Sequence, residues 1–303
     1  MEIAIVSNLV KDTITDNNGV IAHSLGGPVC YCGMIAKELG FKPNLVSRYR
    51  KDLQEWERQL LKTKGLFLEP SGSSDLKTTR FNIRCLGRSR ELILESNCEK
   101  LRLEDIIKTH HDAWLVSPVF DEVPPEVLDY IRQRGKELEF VMVDPQGFTR
   151  IADDKGIITV KDRINLDLNG VQAIKLDPAE LACLTGGLSG FSGMKKILEH
   201  YGVDFVLNTE EKAIHLATDN TIYSLTILEM TTSDATGIGD ILSATFACTY
   251  LKENDFIWGL CFAAGAVTAS LQTNLRGLEK IPNRSKVEEN ASYFYNTLQF
   301  DKI

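Results

Sequence analysis

The chain has 303 residues, 43% hydrophobic and 25% charged, the make-up of a globular protein able to bury a sizeable core in one large α/β domain or two smaller ones. With 34 Lys and Arg against 42 Asp and Glu the formal net charge is -8, which argues against a broad nucleic-acid or anionic-membrane surface but leaves room for an anion held locally. Seven scattered cysteines with no CxxC suggest neither a zinc site nor a disulfide framework, and they read as reduced, mostly buried thiols of a cytoplasmic protein.

Short β-prone runs alternate with helical patterns along the chain. "IAIVSN" from Ile3 is a strand without the features of a secretory signal. Next, "LVKDTITDNNGVIAHSLGG" reads as two short strands turning at Asn17-Asn18-Gly19. "YCGMIAKELG" is helical and "PNLVS" is a strand, after which "LKTTRFNIRCLGRSRELILES" again reads as two strands, turning near Gly87-Arg88-Ser89. The runs "AWLVSPV", "FVMVDPQG", "AIKLD" and "FVLNT" are further strands, separated by helices such as "PPEVLDYIRQRGKEL" and "GMKKILEHYG". "FIWGLCFAAGAVTASL" from Phe256 is too short and too rich in small residues for a membrane span and is expected to be a buried helix.

This alternation predicts an α/β fold with a doubly wound, mostly parallel sheet flanked by helices. The two hairpin regions, at about 9–24 and 76–96, cannot easily join such a sheet and are expected to form a small β flap beside it. No repeat or linker marks a second domain, so residues 1–303 read as one. The flap edges invite pairing with a second copy, hence a homodimer.

The chemistry concentrates in "DATGIGDILSATFACTYL", where a glycine turn opens a helix. Helix N-termini present unpaired N–H groups and a dipole that suit phosphate. No GxxxxGK[ST] string occurs, and a GxGxxG reading starting at Gly237 and Gly239 fails at Leu242. Two readings of Asp240 stay open on spacing alone: a base beside an anion-binding turn, or a helix cap.

The segment "DATGIGD" resembles the DTxGAGD signature of the ribokinase-like carbohydrate kinases, with Ile238 in place of the usual alanine. "LGGPVCYCGMIAKELG", "IKLDPAELACLTG" and "AAGAVTASLQTNLRG" are similar to further family motifs, in the family's order, so the resemblance covers nearly the whole chain. "LGGPVCY", "SPVFDEVPPEVL" and "VDPQGFTR" look most like the archaeal branch that includes inositol kinases.

The resemblance implies transfer of the γ-phosphoryl of ATP to a hydroxyl of a sugar, polyol or nucleoside. Asp240 would be the base, its charged form favoured by the helix dipole, with the N–H groups of Gly237, Ile238 and Gly239 on the transferring phosphoryl. Asp177 and Glu180 would organise Mg²⁺, although Asp177 stands where the family has Asn and "DPAE" is also a good helix start. Asp12 and Gly26-Gly27, with Asn8 nearby, match acceptor-binding positions; a solvated flap residue and a tight turn are the plainer readings. Gln146 ends a strand within reach of either ligand.

On the donor side the resemblance implies Asn208, Thr209, Glu210 and Gly265, but "NTEEKA" lacks the threonine and glycines of the family pattern, which leaves donor identity in doubt. In some members the residue matching Asp234 helps bind a monovalent cation such as K⁺. Phe81, Tyr31 and Tyr49 could line a base pocket if the acceptor is a nucleoside, the alternative within the enzyme class. A catalytically impaired nucleotide- or sugar-binding regulator is the alternative outside it. His110-His111 reads as a solvated turn, and Arg84, Arg88 and Arg90 as a charged sheet edge.

Overall fold

The computed structural model describes residues 1–16, 19–68, 77–86, 89–107, 111–227, 234–273 and 275–302, with residues 85, 86, 89 and 90 described by backbone only. The turn residues Asn17-Asn18 and Gly87-Arg88, together with His110, fall outside that set, as does the side chain of Arg90.

The chain enters through β1 (Glu2–Val6) and leaves at once for a hairpin, β2 (Val10–Thr15) and β3 (Ile21–Gly26). It returns through α1 (Pro28–Glu38) and β4 (Lys42–Val46), then runs through α2 (Glu55–Lys64) to a second hairpin, β5 (Thr79–Leu86) and β6 (Ser89–Ser96). The middle holds β7 (Ala113–Val116), α3 (Pro125–Lys136), β8 (Phe140–Val143), the single turn α4 (Gln146–Thr149), the short pair β9 (Arg150–Ala152) and β10 (Ile158–Val160), then β11 (Ala173–Leu176), α5 (Pro178–Thr185) and α6 (Gly190–Tyr201). The last third runs β12 (Phe205–Glu210), β13 (Ala213–Thr218), β14 (Thr221–Thr226), α7 (Ile238–Glu253), α8 (Phe256–Leu271), α9 (Arg284–Thr297) and β15 (Gln299–Lys302).

One nine-stranded sheet, in the order β15-β14-β13-β12-β11-β8-β7-β1-β4, forms the centre. From β12 to β4 every pairing is parallel. Runs such as "AWLV" and "FVMV" are buried along their whole length because helices cover both faces. Residue parity sorts them: Ile3, Ile5, Leu115, Met142 and Leu207 pack with α1, α7, α8 and α9, whereas Ala4, Val6, Val116, Val143 and Ile174 pack with α3, α5 and α6. The expected doubly wound α/β architecture is therefore the one observed. At one edge β13, β14 and β15 add antiparallel strands that the sequence reading did not pick out. "NTEEKA" is thus the tight hairpin joining β12 to β13, with Glu210 opposite Ala213.

The two flap hairpins form a separate four-stranded sheet in the order β3-β2-β5-β6. Its centre is a parallel pairing of β2 with β5, and its inner face buries Val10, Ile14, Phe81 and Ile83 against Val119. The "FIWGLCFAAGAVTASL" stretch forms α8, buried except near its ends, and among the described residues no helix is long and apolar enough to cross a membrane.

Candidate active site

The parallel strands end along one rim of the sheet, the place where open α/β sheets bind ligands. Asn8 follows β1, Ser117 follows β7, Asp144 follows β8, Asp177 follows β11, and Thr209-Glu210 end β12. Helix α7 brings its N-terminus to the same rim.

Gly237 is the N-cap of α7 in the left-handed region, φ 76°, and a Cβ there would lie 2.5 Å from the Tyr31 ring. Only glycine fits without strain. Asp240 is the third residue of the helix and makes no capping hydrogen bond. The cap reading of Asp240 is therefore replaced: the glycine caps, and the carboxylate is free for another role.

That carboxylate is 7% exposed and accepts from Gln146 Nε2 at 3.4 Å. Gln146 is fixed from the other side, since Arg150 donates to its Oε1 at 2.7 Å and to the Val119 carbonyl at 2.8 Å. Burial pushes the Asp240 carboxyl up to about 7, the Asp144 carboxylate adds to this, and Lys175, Arg150 and Gln146 pull it partly back. The expectation that the dipole keeps Asp240 ionised is corrected. A dipole contributes about 1 kcal/mol, less than the desolvation of a buried carboxylate next to a second one.

Lys175 emerges as a site residue that sequence reading passed over. Parity places it on the α7 side of β11, where its ammonium lies 3.2 Å from Asp144 Oδ2 and 3.7 Å from Glu180 Oε2. Burial disfavours its charge, but Asp144, Glu180 and Asp177 together hold its pKa above the usual lysine range. A Cβ on Gly239 would sit 3.0 Å from its Nζ, so this cation stands directly beside the glycine turn.

Asp177 and Glu180 form a reciprocal capping box: Glu180 N donates to Asp177 Oδ1 at 2.8 Å, and Asp177 N donates to Glu180 Oε2 at 2.7 Å. Burial drives Glu180 up to about 7, with Lys175 opposing and Asp144 and Asp177 reinforcing. Each carboxyl spends one oxygen on the cap. Among the described residues no group of three or more His, Cys, Asp or Glu could hold a metal by itself. The chemistry of the two carboxyls suits Mg²⁺, an ion commonly held by one or two carboxylates together with phosphates and waters.

On the acceptor side, Asp12 on β2 lies against Gly26, where a Cβ would come within 2.6 Å of Asp12 Oδ2. Gly27, φ 78°, passes over the Asn8 carbonyl and Val10 just before α1. Asp12 is buried beneath the flap, which corrects the plainer reading of a solvated residue. Asn8 is spent in the fold instead: its Nδ2 donates to the Glu99 carbonyl at 2.9 Å and its Oδ1 accepts from Arg48 N at 2.8 Å. Glu122, fully buried, accepts from the backbone N–H groups of Asn8, Val119 and Phe120 and so braces the same corner.

Tyr31, Tyr49 and Phe81 are all buried, Tyr31 wedged between Gly26 and Gly237, Tyr49 donating to the Leu68 carbonyl, and Phe81 in the flap core. His111 is likewise buried, edge-on to Trp114, rather than solvated. Arg84 pairs with Glu91 across the β5–β6 ladder, and because β5 lies between β2 and β6 the reading of Arg84 as a charged sheet edge is corrected.

On the donor side, Thr209 Oγ1 donates to the Leu176 carbonyl at 3.3 Å, and Asn208 Nδ2 donates to Glu210 Oε1 at 3.4 Å, with His215 3.9 Å from the other Glu210 oxygen. Gly265 lies in the middle of α8, where a Cβ would meet the Val287 carbonyl at 2.6 Å. Its smallness therefore serves helix packing against α9. Asp234 does not present the open oxygens that a monovalent cation requires. The Lys280 ammonium stands 3.0 Å from its Oδ2 and 3.0 Å from its carbonyl.

No family model matches the chain, and no curated protein does. Solved structures do. A pyrophosphate-dependent kinase of the ribokinase family, in a sulfate complex, superposes with a TM-score of 0.80 at 20% identity over 95% of this chain and 99% of its own. The ribokinase of Thermotoga maritima gives 0.73 at 18% identity over 96% and 99%. The fructokinase of Vibrio cholerae O395, solved with fructose, ADP and calcium ion, gives 0.74 at 16% identity over 96% and 99%. With helices on both faces of its sheet, a flap at the sheet's rim and these likenesses over nearly its full length, the chain has the ribokinase fold.

Proposed function

We propose that the chain is a kinase that transfers the γ-phosphoryl of Mg·ATP to a hydroxyl of a sugar or polyol. The observation that carries this reading is Asp240, buried one residue beyond the Gly237-Ile238-Gly239 turn and held by Gln146. A carboxyl poised near neutral pH can take the proton of an attacking hydroxyl. The N–H groups of the turn and the α7 dipole face the charge that develops on the phosphoryl group, and Lys175 balances the surrounding carboxylates. Asp12 accepts hydrogen bonds from neighbouring hydroxyls of the acceptor, with the backbone at Gly26-Gly27 giving it room. Asp177 and Glu180 are the residues that would hold Mg²⁺, which when bound would supply neutralisation of phosphate charge. The flap closes off water.

The acceptor class is tested by substrate-dependent ADP production with inositol, ribose, fructose, 2-keto-3-deoxygluconate and adenosine. Turnover with adenosine alone would replace the polyol reading by the nucleoside one. Tight nucleotide binding with no turnover on any acceptor would favour a regulator.

A second reading concerns the donor. Glu210 ends β12 opposite Ala213, and one similar structure is a pyrophosphate-dependent kinase complexed with a pyrophosphate analog and myo-inositol; on this reading the Glu210 carboxylate faces the donor. Pyrophosphate as donor would release phosphate instead of ADP. Glu210→Gly should then shift preference toward ATP, and an unchanged donor ratio would remove Glu210 from that role.

A further inference from the structure

The turn that carries the anion site has two sides. Its N–H groups open toward the rim, while behind them the Asp234 carbonyl and carboxylate converge on one point. Asp234 Oδ1 accepts from Thr236 N at 2.8 Å, which closes the approach to Gly237. Asp234 Oδ2 accepts from Gly277 N at 2.8 Å, which ties the turn to the 3₁₀ segment Gly277–Lys280.

The point of convergence is filled by the chain itself. Lys280 Nζ donates to the Asp234 carbonyl at 3.0 Å and pairs with Oδ2 at 3.0 Å, its side chain is fully buried, and it lies 5.6 Å from the centroid of the Tyr31 ring. An ammonium with donors for a carbonyl and a carboxylate, and a ring face beside it, meets the demands these oxygens place on a cation. A second cation on the same two oxygens would meet a like charge in a buried space, where repulsion is poorly screened.

We infer that Lys280 is a built-in replacement for a monovalent cation, so that this chain holds its anion turn through Asp234 without potassium. The inference rests on the kinase reading only for its activity arm. Lys280 is a positioning residue: it touches no reacting atom and acts by fixing the turn from behind. The same ammonium, packed on Tyr31, also links the turn to α1 and to the Gly26-Gly27 corner.

The test compares potassium chloride with tetramethylammonium chloride at equal ionic strength, reading both melting temperature and phosphoryl transfer. Wild type should melt at the same temperature and turn over at the same rate in the two salts. Lys280→Met, which keeps the stem and loses the charge, should melt lower and lose about tenfold or more in kcat, because a buried carboxylate has lost its partner. Lys280→Ala, which leaves room for an ion, should regain melting temperature and rate in potassium or ammonium but not in tetramethylammonium. Selective stabilisation or activation of wild type by potassium would overturn the inference, as would a Lys280→Met variant unchanged in both readouts. The melting arm requires no turnover, so a failed acceptor screen and a failed cation inference remain distinguishable.

Discussion

Replacing Asp240 by Asn keeps the shape of the side chain and removes its charge, which separates two consequences of the site's design. The folded-state carboxyl titrates at about 7 instead of 3.8, chiefly because of burial and then because of Asp144. Three units at about 1.4 kcal/mol each make an upper figure of about 4 kcal/mol for holding Asp240 ionised in the fold. The folded state keeps this proton longer than the unfolded state does, so the wild type loses stability as pH rises from about 4 to about 7. Asp240→Asn should therefore be more stable than wild type at pH 8, by up to about 4 kcal/mol, with the advantage shrinking toward pH 4. Urea unfolding at several pH values measures this directly. The same substitution removes the proposed base and should lower kcat by roughly 10²- to 10⁴-fold. A variant no more stable than wild type at pH 8 would refute the buried repulsion, and one with intact turnover would refute the base.

In wild type, kcat should rise with pH through about 7 as Asp240 ionises; Arg150→Met removes a charge that favours that ionisation and should move the midpoint upward, as a pH–rate profile would show. Gly237→Ala places a Cβ 2.5 Å from Tyr31 at φ 76°, and a loss of about 1–3 kcal/mol together with most activity is expected from urea melts and turnover. Gly265→Ala would collide with the Val287 carbonyl and should cost about 1–3 kcal/mol while leaving donor affinity of the folded fraction unchanged, which titration calorimetry can check.

The central parallel strands β7 and β8 were legible because they are buried on both faces and spell continuous apolar runs, each followed within two residues by proline. β13, β14 and β15 were not, since "AIHLATDNTIYSLT" mixes polar and apolar residues, on a buried β13 and a partly covered β14, and "QFDK" is exposed throughout. At the site, Asp240 and its glycine turn could be picked out from spacing, but their electrostatics could not. The dipole is visible in sequence, whereas Asp144 and Lys175 reach Asp240 only through the neighbouring β8 and β11. Lys175 had left a faint signal, a lone lysine inside the four-residue buried strand "AIKL". Lys280 had left none, because its partner Asp234 lies 46 positions away.

The parallel pairing of β2 with β5 has a consequence for assembly. α1, β4 and α2 lie between these strands in the chain, so the flap's central ladder closes a long loop that must wait for the β1–α1–β4 unit. The flap, with Asp12 and the proposed acceptor side on β2, should thus be the last part to form and the first to open, and flap amides should exchange with solvent faster than those of β1, β7 and β8. Mild destabilisation would then erode recognition of the acceptor while the sheet beneath stays intact.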